Sequence, residues 1–429
     1  MTGRGLILAA PTSRSGKTTL TLGLARALRT AGRDVRCAKS GPDYIDSAYL
    51  AAASGAACVN LDAHAMSALR LRALASGPGL LLIEGAMGLF DGAPPDGRGS
   101  VADLAGCLDL PVVLVIDCAS MAQSIAPLVA GFLGHRPGLR FAGLILNRVG
   151  SPRHADLLRA SLADIAVPIL GVVSRHGGLA RPSRHLGLVQ AAEDGDLDGF
   201  LDRAAALVSR DVNLAALTEA AAPLAPMPAD MPPGLPPLGQ RIAVADDLAF
   251  AFTYPHLLAD WRRQGAEILP FSPLADQAPA PDADAIFLPG GYPELHALHL
   301  TRAGRFRAAM AAAARAGTTI YGECGGYMVL GRSLTDRRGI AYPMCGLLDL
   351  ETSFAARKLH LGYRQITPLG GPWSGPISAH EFHYATIIRE RGTPLFSAKD
   401  ATGAALGDMG LCQGSVSGSF AHVIDRAPF

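Results

Sequence analysis

The sequence predicts an α/β fold in two domains, the first a doubly wound parallel sheet. Three observations carry this. At 429 residues the chain exceeds the size at which one hydrophobic core keeps growing, so two domains of about 200 residues are expected. Apolar runs of strand length, each stopping at a polar residue, alternate with helical patterns. That alternation weakens after residue 195 and restarts at 241, beyond a stretch in which seven prolines fall between 223 and 237.

The first strand is GLILAA at 5–10, followed by a helical pattern over Lys17–Ala31. Further strands follow at LLLIE (80–84), PVVLVID (111–117) and FAGLILN (141–147), continuous runs of the kind that parallel strands show when both faces are covered. In an open α/β sheet the ligand lies beyond the carboxyl ends of the strands, which is where Glu84, Asp117 and Asn147 fall. The stretch AAPLAPMPADMPPGLPPLG reads as a linker, extended and semi-rigid through its polyproline bias. RIAVADD (241–247), DAIFLPGG (284–291) and TTIYGECGG (318–326) restart the strand–helix pattern. The expected divisions are 1–195, a linker over 196–239, and a second α/β domain over 240–429.

Composition narrows the function. Nearly half of the residues are apolar and 17% are charged, the signature of large buried cores. With 38 basic against 37 acidic residues there is no broad field to hold a nucleic acid. No apolar run is long enough to span a membrane, and MTGRGLILAAPTSRSGKTT leads into a Gly/Ser/Thr loop instead of a cleavage site, so a cytoplasmic protein is expected. The seven cysteines form no C-x-x-C pair, which disfavours a disulfide framework and a zinc knuckle. Lysine is rare, at 17, 39, 358 and 399 only.

Pro11-Thr12-Ser13-Arg14-Ser15-Gly16-Lys17-Thr18-Thr19 lies between a strand and a helix and forms a P-loop. Its successive N–H groups and the helix N-terminus suit phosphates, Lys17 the β/γ oxygens, and the Thr18 hydroxyl Mg²⁺. Ser15, Gly16, Lys17, Thr18 and Thr19 are therefore the expected ATP contacts. Pro11 stands where the usual pattern has its first Gly, and Thr12 where the ParA/MinD-like ATPases carry a signature lysine. GPDYIDSAY (41–49) sets Asp43 and Asp46 beside Lys39, and IEGAMGLFDG (83–92) sets Glu84 at a strand end with Asp91 seven residues on. Thr18, Asp46 and Glu84 are expected to hold Mg²⁺, and Asp43, Asp46 and Asp91 to serve catalysis. Taken singly, such acids are ordinary solvated charges or caps. Asn147 suits either an adenine edge or a cap on the next turn.

In the second half, YGECGGYMVLG (321–331) sets Cys324 on a tight turn between a strand and a helical run. A thiol there is exposed, has its pKa lowered by the helix N-terminus, and can use glycine N–H groups to hold an oxyanion. LPGGYPE (288–294) adds a second glycine turn, so Gly291 and Gly325 are the expected oxyanion donors. The competing reading of Cys324 is a buried structural cysteine. AHEFHY (379–384) carries His380 and His383 three apart among β-type residues, which suits substrate contact or core packing better than a zinc helix.

Together, SGKTT, GPDYID and EGAMGLFDG resemble the cobyrinic acid a,c-diamide synthases, whose N-terminal domain is similar to dethiobiotin synthetase. GGYPELH, GECGGYMVLG and HEFHY resemble the corrinoid branch of the class I glutamine amidotransferases, so the second domain is expected to be of that class. The resemblance makes His422, in SGSFAHVID, the base for Cys324. It also exposes a departure: the Glu that class I enzymes carry two residues after the His is Ile424 here, leaving Asp425 or a backbone carbonyl to orient the base. The implied reaction converts the a- and c-acetates of a corrinoid to amides with two ATP and two glutamine. The implied partners are a corrinoid, ATP and L-glutamine, with neither nucleic acid nor membrane, and a homodimer is left open. The arginine-rich chain inclines the reading to metal-free hydrogenobyrinic acid over cobalt-bearing cobyrinic acid. The rival reading is a P-loop partitioning or regulatory ATPase with a degenerate glutaminase-like module.

Overall fold

A computed structural model describes residues 3–176, 179, 183–184, 187–188, 190–228, 231 and 233–428. Two compact units divide the chain, Met1–Pro232 and Pro233–Phe429.

Unit one opens with β1 (Arg4–Ala9), α1 (Lys17–Thr30), β2 (Val35–Ser40), α2 (Ile45–Ser54), β3 (Val59–Leu61) and α3 (Ala68–Ala75). There follow β4 (Leu80–Glu84), α4 (Val101–Leu108), β5 (Val112–Asp117), α5 (Ile125–His135), β6 (Phe141–Val149), α6 (Pro152–Ser161) and β7 (Ile169–Ser174). The seven strands run parallel in the order β3-β2-β4-β1-β5-β6-β7. β1, β4 and β5 are buried nearly end to end, which is why each reads as an unbroken apolar run, whereas β2 (VRCAKS) is buried but broken by Arg36 and Lys39. The order reverses at β1, so the loop after it sits at the topological switch point. Local signals set the helix boundaries: Ser100 and Asp103 form a capping box on α4, and Ser151 caps α6 with Pro152 at its first position.

The segment expected as linker is only partly one. It follows a short antiparallel pair, β8 (Ser183–Arg184) with β9 (Gly187–Leu188), and contains α7 (Leu197–Asp211), α8 (Leu214–Ala220) and β10 (Ala222–Pro223). Helix α7 buries Phe200, Leu201, Ala204, Leu207 and Val208 along one face, and Asp202 ion-pairs with Arg26 of α1 at 2.7 Å. β10 pairs antiparallel with β1. Helical burial and strand pairing therefore tie 197–223 into unit one, and among the described residues from 224 to 240 no helix or strand occurs.

Unit two begins with β11 (Arg241–Ala245), α9 (Pro255–Arg263), β12 (Glu267–Phe271), β13 (Ala285–Leu288), α10 (Ala297–Arg302) and α11 (Gly304–Ala316). Then come β14 (Thr319–Glu323), α12 (Gly325–Leu330), β15 (Ser333–Thr335), β16 (Ala341–Pro343), β17 (Asp349–Ser353), β18 (His360–Pro368) and β19 (Ile377–His383). It ends with β20 (Thr386–Arg391), β21 (Thr393–Asp400), β22 (Ala405–Gln413), β23 (Val416–Ser419) and β24 (Ala421–Arg426). The main sheet runs β12-β11-β13-β14-β23-β22-β21-β18-β19-β24, parallel as far as β23 and antiparallel after it. Its path folds back: the Val423 N–H of β24, the last strand, donates to Glu323 of β14 at 3.1 Å. A smaller sheet holds β16-β15-β17-β20.

Candidate functional sites

In unit one, β1 ends in the loop that Gly16 closes with φ 88°, and α1 starts at Lys17 with no side-chain cap and no acid in its first turn. Its free N–H groups and dipole are left for an anion. Lys17 is buried, its ammonium donating to the Met87 carbonyl at 2.6 Å and to the Thr12 carbonyl at 3.2 Å. Burial lowers it to about 8, against the opposing pull of Glu84.

Thr18, Asp46 and Glu84 converge as expected for a metal set. The Thr18 hydroxyl donates to Glu84 Oε1, and its oxygen lies 3.5 Å from Asp46 Oδ2. Sequence reasoning placed Lys39, near the end of β2, beside these acids but gave it no role, and it is the centre of the cluster. Its ammonium is 2.6 Å from Asp46, 2.9 Å from Glu84 and 3.8 Å from Asp43. It stays charged because these carboxylates outweigh its desolvation. The signal was the rarity of lysine: two of the four lysines lie buried in this one site.

Glu84 is buried at the end of β4, and its Oε2 has no hydrogen-bond partner. An orphaned buried carboxylate oxygen beside a threonine hydroxyl and a second carboxylate suits a hard cation with oxygen ligands, so the donor set fits Mg²⁺. Asp43 does two jobs: Oδ1 accepts the Ile45 and Asp46 N–H groups at 3.0 Å, capping α2, while Oδ2 faces Lys39. Asp91 is exposed and accepts the Gly88 N–H at 2.8 Å, fixing the loop whose Met87 carbonyl holds Lys17. Asn147, on β6, donates its amide N–H to the Ser15 carbonyl at 2.8 Å and lies against Gly16, so it buttresses the P-loop. Ser15 closes the loop on itself, its hydroxyl donating to the Thr12 carbonyl at 2.9 Å, and Thr19 lies in the first turn of α1.

In unit two, Cys324 joins β14 to α12 with φ 45° and ψ −101°, a conformation that costs an L-residue energy and recurs where a side chain must be presented at a sharp turn. Its N–H donates to the Ser419 carbonyl at 2.8 Å and its carbonyl accepts from Met328 at 3.0 Å, so the turn is held from both sides. The two glycine turns meet: a Cβ on Gly325 would lie 2.9 Å from the Gly291 nitrogen. His422 packs on the same turn, its Cε1 2.2 Å from where a Cβ on Gly290 would be. The fold-back thus gathers the glycines, Cys324 and His422 from elements far apart in sequence.

The electrostatics overturn one expectation. The thiol is buried, 3% exposed, and burial with the charges of Glu294, Glu381 and Glu323 raises its pKa instead of lowering it. The six-residue α12 does not offset that burial. Burial lowers His422 to about 3, with His380 and His383 adding to the effect. At rest both the thiol and the imidazole are neutral. His422 Nδ1 lies 3.9 Å from Glu323 Oε2.

The histidines of β19 divide between its faces. His380 pairs with His422 across β24, whereas His383 Nε2 meets Glu381 at 2.8 Å and Arg364 meets the other carboxylate oxygen at 2.7 Å. Despite burial, these two partners bring Glu381 down to about 2. With His360 they form a group whose ligand atoms lie within 4.8 Å of one another. The His360 and His383 rings are stacked 7° from parallel at 4.7 Å, so their lone pairs run side by side instead of converging on one ion.

Comparison with known proteins bears on both units. Residues 6–189 match the model of the CobQ/CobB/MinD/ParA nucleotide binding domain, and 241–428 that of the CobB/CobQ-like glutamine amidotransferase domain. The chain is 57% identical over 432 residues to hydrogenobyrinate a,c-diamide synthase of Brucella abortus biovar 1 (strain 9-941), covering 98% of both chains. Identity to the enzyme of that name from Rhizobium meliloti (strain 1021) is 54%, over 98% of this chain and 99% of the relative. For that of Rhodobacter capsulatus it is 49%, over 98% of both.

Proposed function

The chain belongs to the hydrogenobyrinate a,c-diamide synthases, glutamine-dependent carbon–nitrogen ligases of cobalamin biosynthesis, and from that premise we propose how its residues divide the reaction. The substrate is hydrogenobyrinate, the metal-free corrinoid in the relatives' name, amidated at its a- and c-acetates. The observation that carries this is the match over 98% of both chains, which takes in the nucleotide-binding and glutaminase units together and leaves the regulatory ATPase with a degenerate glutaminase-like module without support.

In unit one an acetate oxygen attacks the γ-phosphorus of ATP, ADP leaves, and the acyl phosphate gives ammonia a leaving group that a carboxylate lacks. Lys17 and the N–H groups of the P-loop offset the charge on the transferring phosphoryl group. Thr18, Asp46 and Glu84 would hold Mg²⁺, which supplies further neutralisation of phosphate oxygens. Lys39 lies among the carboxylates of this site and offsets their mutual repulsion, and Asp43 and Asp91 fix the two loops that border it.

In unit two His422 takes the proton of Cys324 as sulfur attacks the glutamine amide carbon. The N–H groups of Gly291 and Gly325 support the oxyanion. Ammonia leaves with the proton returned by His422, and water then cleaves the thioester to glutamate. Ammonia attacks the acyl phosphate, phosphate leaves, and the amide is formed.

The test supplies the purified protein with ATP, Mg²⁺ and glutamine together with hydrogenobyrinic or cobyrinic acid. Expected is a product of hydrogenobyrinic acid whose mass corresponds to two carboxyl-to-amide conversions, with the visible spectrum of a metal-free corrinoid. Turnover of cobyrinic acid alone would overturn the substrate assignment.

A further inference from the structure

We propose that Glu323 is the positioning residue of the glutaminase, orienting His422 from the neighbouring strand and doing the work that Ile424 cannot. The inference rests on the assignment of Cys324 and His422 as nucleophile and base.

Glu323 is the last residue of β14, directly before the strained nucleophile, so the backbone that presents the thiol also fixes this carboxyl group. Its Oε1 accepts the N–H of Val423, the residue after the base, at 3.1 Å. Its Oε2 lies 3.9 Å from His422 Nδ1. One carboxyl group therefore grips the strand of the base and faces the Nδ1 edge of its imidazole. Burial raises Glu323 to about 8, so its ionised form gains population as pH rises toward that value. Ionised, it favours the tautomer with the imidazole proton on Nδ1, leaving Nε2 to receive the thiol proton, and stabilises the imidazolium that then forms. At 3.9 Å the contact is longer than a hydrogen bond. Formation of imidazolium adds a charge to one side of a buried pair, and catalytic contacts of this kind tighten as the reaction proceeds.

Packing alone does not account for a carboxyl group here. Its side chain is 3% exposed, no Lys or Arg among the described residues pairs with it, and burial raises it to about 8. A neutral amide would accept the Val423 N–H as well, without the cost of burying an ionisable group. The groups facing it are Tyr321 on its own strand, Cys324 beside it, and Val423 and His422 on β24. The alternative orienter, Asp425, is brought to the His422 face by a bulge: Ala379 pairs with Val423 and Ser378 with Asp425, so Ile424 is the extra residue. Its Oδ1 accepts the N–H of Arg426 at 2.8 Å. Glu323, by contrast, holds Oε2 3.9 Å from His422 Nδ1.

Glu323→Gln keeps the shape and an acceptor for Val423 and removes the charge. The expected result is a fall in glutaminase kcat on the order of 10- to 100-fold, KM for glutamine within about twofold, and a flattened acid limb of the pH–rate profile. Glu323→Asp should recover part of kcat and the acid limb, which a role in packing alone would not produce. If Glu323→Gln is misfolded by circular dichroism, Glu323→Asp decides: an acid limb retained at reduced kcat supports the role, and a wild-type kcat overturns it. Glu323→Gln with wild-type kcat and profile overturns it too, as does a profile change confined to Asp425→Asn. An active Cys324→Ser would instead sink the nucleophile assignment, so the two failures are distinguishable.

Discussion

At the residue scale, the nucleotide unit concentrates charge where burial makes it costly. Three carboxylates share the Lys39 ammonium, and removing that cation leaves Glu84, 1% exposed, as a buried acid without its positive partner. Lys39→Met should therefore destabilise unit one by about 3–5 kcal/mol in denaturant unfolding, and activity should be lost with either nitrogen source. Lys17→Ala and Glu84→Gln should likewise abolish amidation with glutamine and with ammonia, by at least about 10³-fold, because both act where phosphate charge is met. Near wild-type ammonia-dependent synthesis by either variant would show the site to be misassigned. Asp43→Asn, Asp46→Asn and Asp91→Asn should reduce turnover far more than stability. Asn still caps α2 at 43, and exposed Asp91 contributes little to folding. Equal losses of thermal stability in all three would favour a purely structural role.

At the element scale, what brings the glutaminase together is the fold-back of the long sheet, and this was the least legible part of the sequence. In the P-loop domain β1, β4, β5 and β6 could be read because they are uninterrupted apolar runs. β2, broken by Arg36 and Lys39, β3, only three residues long, and β7, interrupted by Gly171, were not. Strands β18 to β22 carry no such signal: His360–Pro368 is mostly half-exposed, and its pairing with β19 and β21 is a long-range choice. Helix α7 was legible in principle, since Phe200, Leu201, Ala204, Leu207 and Val208 have helical spacing, but the prolines that follow drew the boundary too early. The direction of the thiol shift was missed because a turn motif says nothing of how deeply the turn is buried. One consequence of the β19–β24 pairing is acid sensitivity. Burial, then the charge of Arg364, lowers His380 to about 4, so below pH 6.5 the unfolded state binds a proton that the folded state refuses. The folded pKa is the depressed one, hence stability is full above pH 6.5 and falls as pH drops toward 4, by up to about 3 kcal/mol. His380→Phe, in a setting that already holds Tyr363 and Phe382, should flatten that loss in guanidinium unfolding at pH 4.5 against pH 7. Equal slopes for both proteins would mean that other groups carry the acid limb.

At the scale of the whole molecule, the two units divide one reaction by chemistry that neither shares. Glutamine hydrolysis needs a thiol, a base and oxyanion donors, all of them in unit two, at Cys324, His422, Gly291 and Gly325. Carboxylate activation needs none of these and draws on Lys17, Lys39, Thr18, Asp46 and Glu84 in unit one. The motifs announced this division because phosphate loops and nucleophile turns are local in sequence. Lys39 and Glu323 went unassigned because their roles depend on partners brought in by folding. Cys324→Ser should eliminate glutamine-dependent synthesis while ATP-dependent diamidation with a high concentration of free ammonia persists. Serine is nearly isosteric, so the turn should survive. Neutral NH₃ is the nucleophile, so the rescued rate at fixed total ammonium should climb with pH toward the ammonium pKa, and the wild-type glutamine-driven rate should not follow that curve. Glutaminase activity is measured as glutamate release and diamidation by mass, so the two functions are read independently on one sample. A folded Cys324→Ser protein that also lost the ammonia-driven reaction would place Cys324 in the synthetase chemistry or in the coupling of the units, and the two-site division would fail.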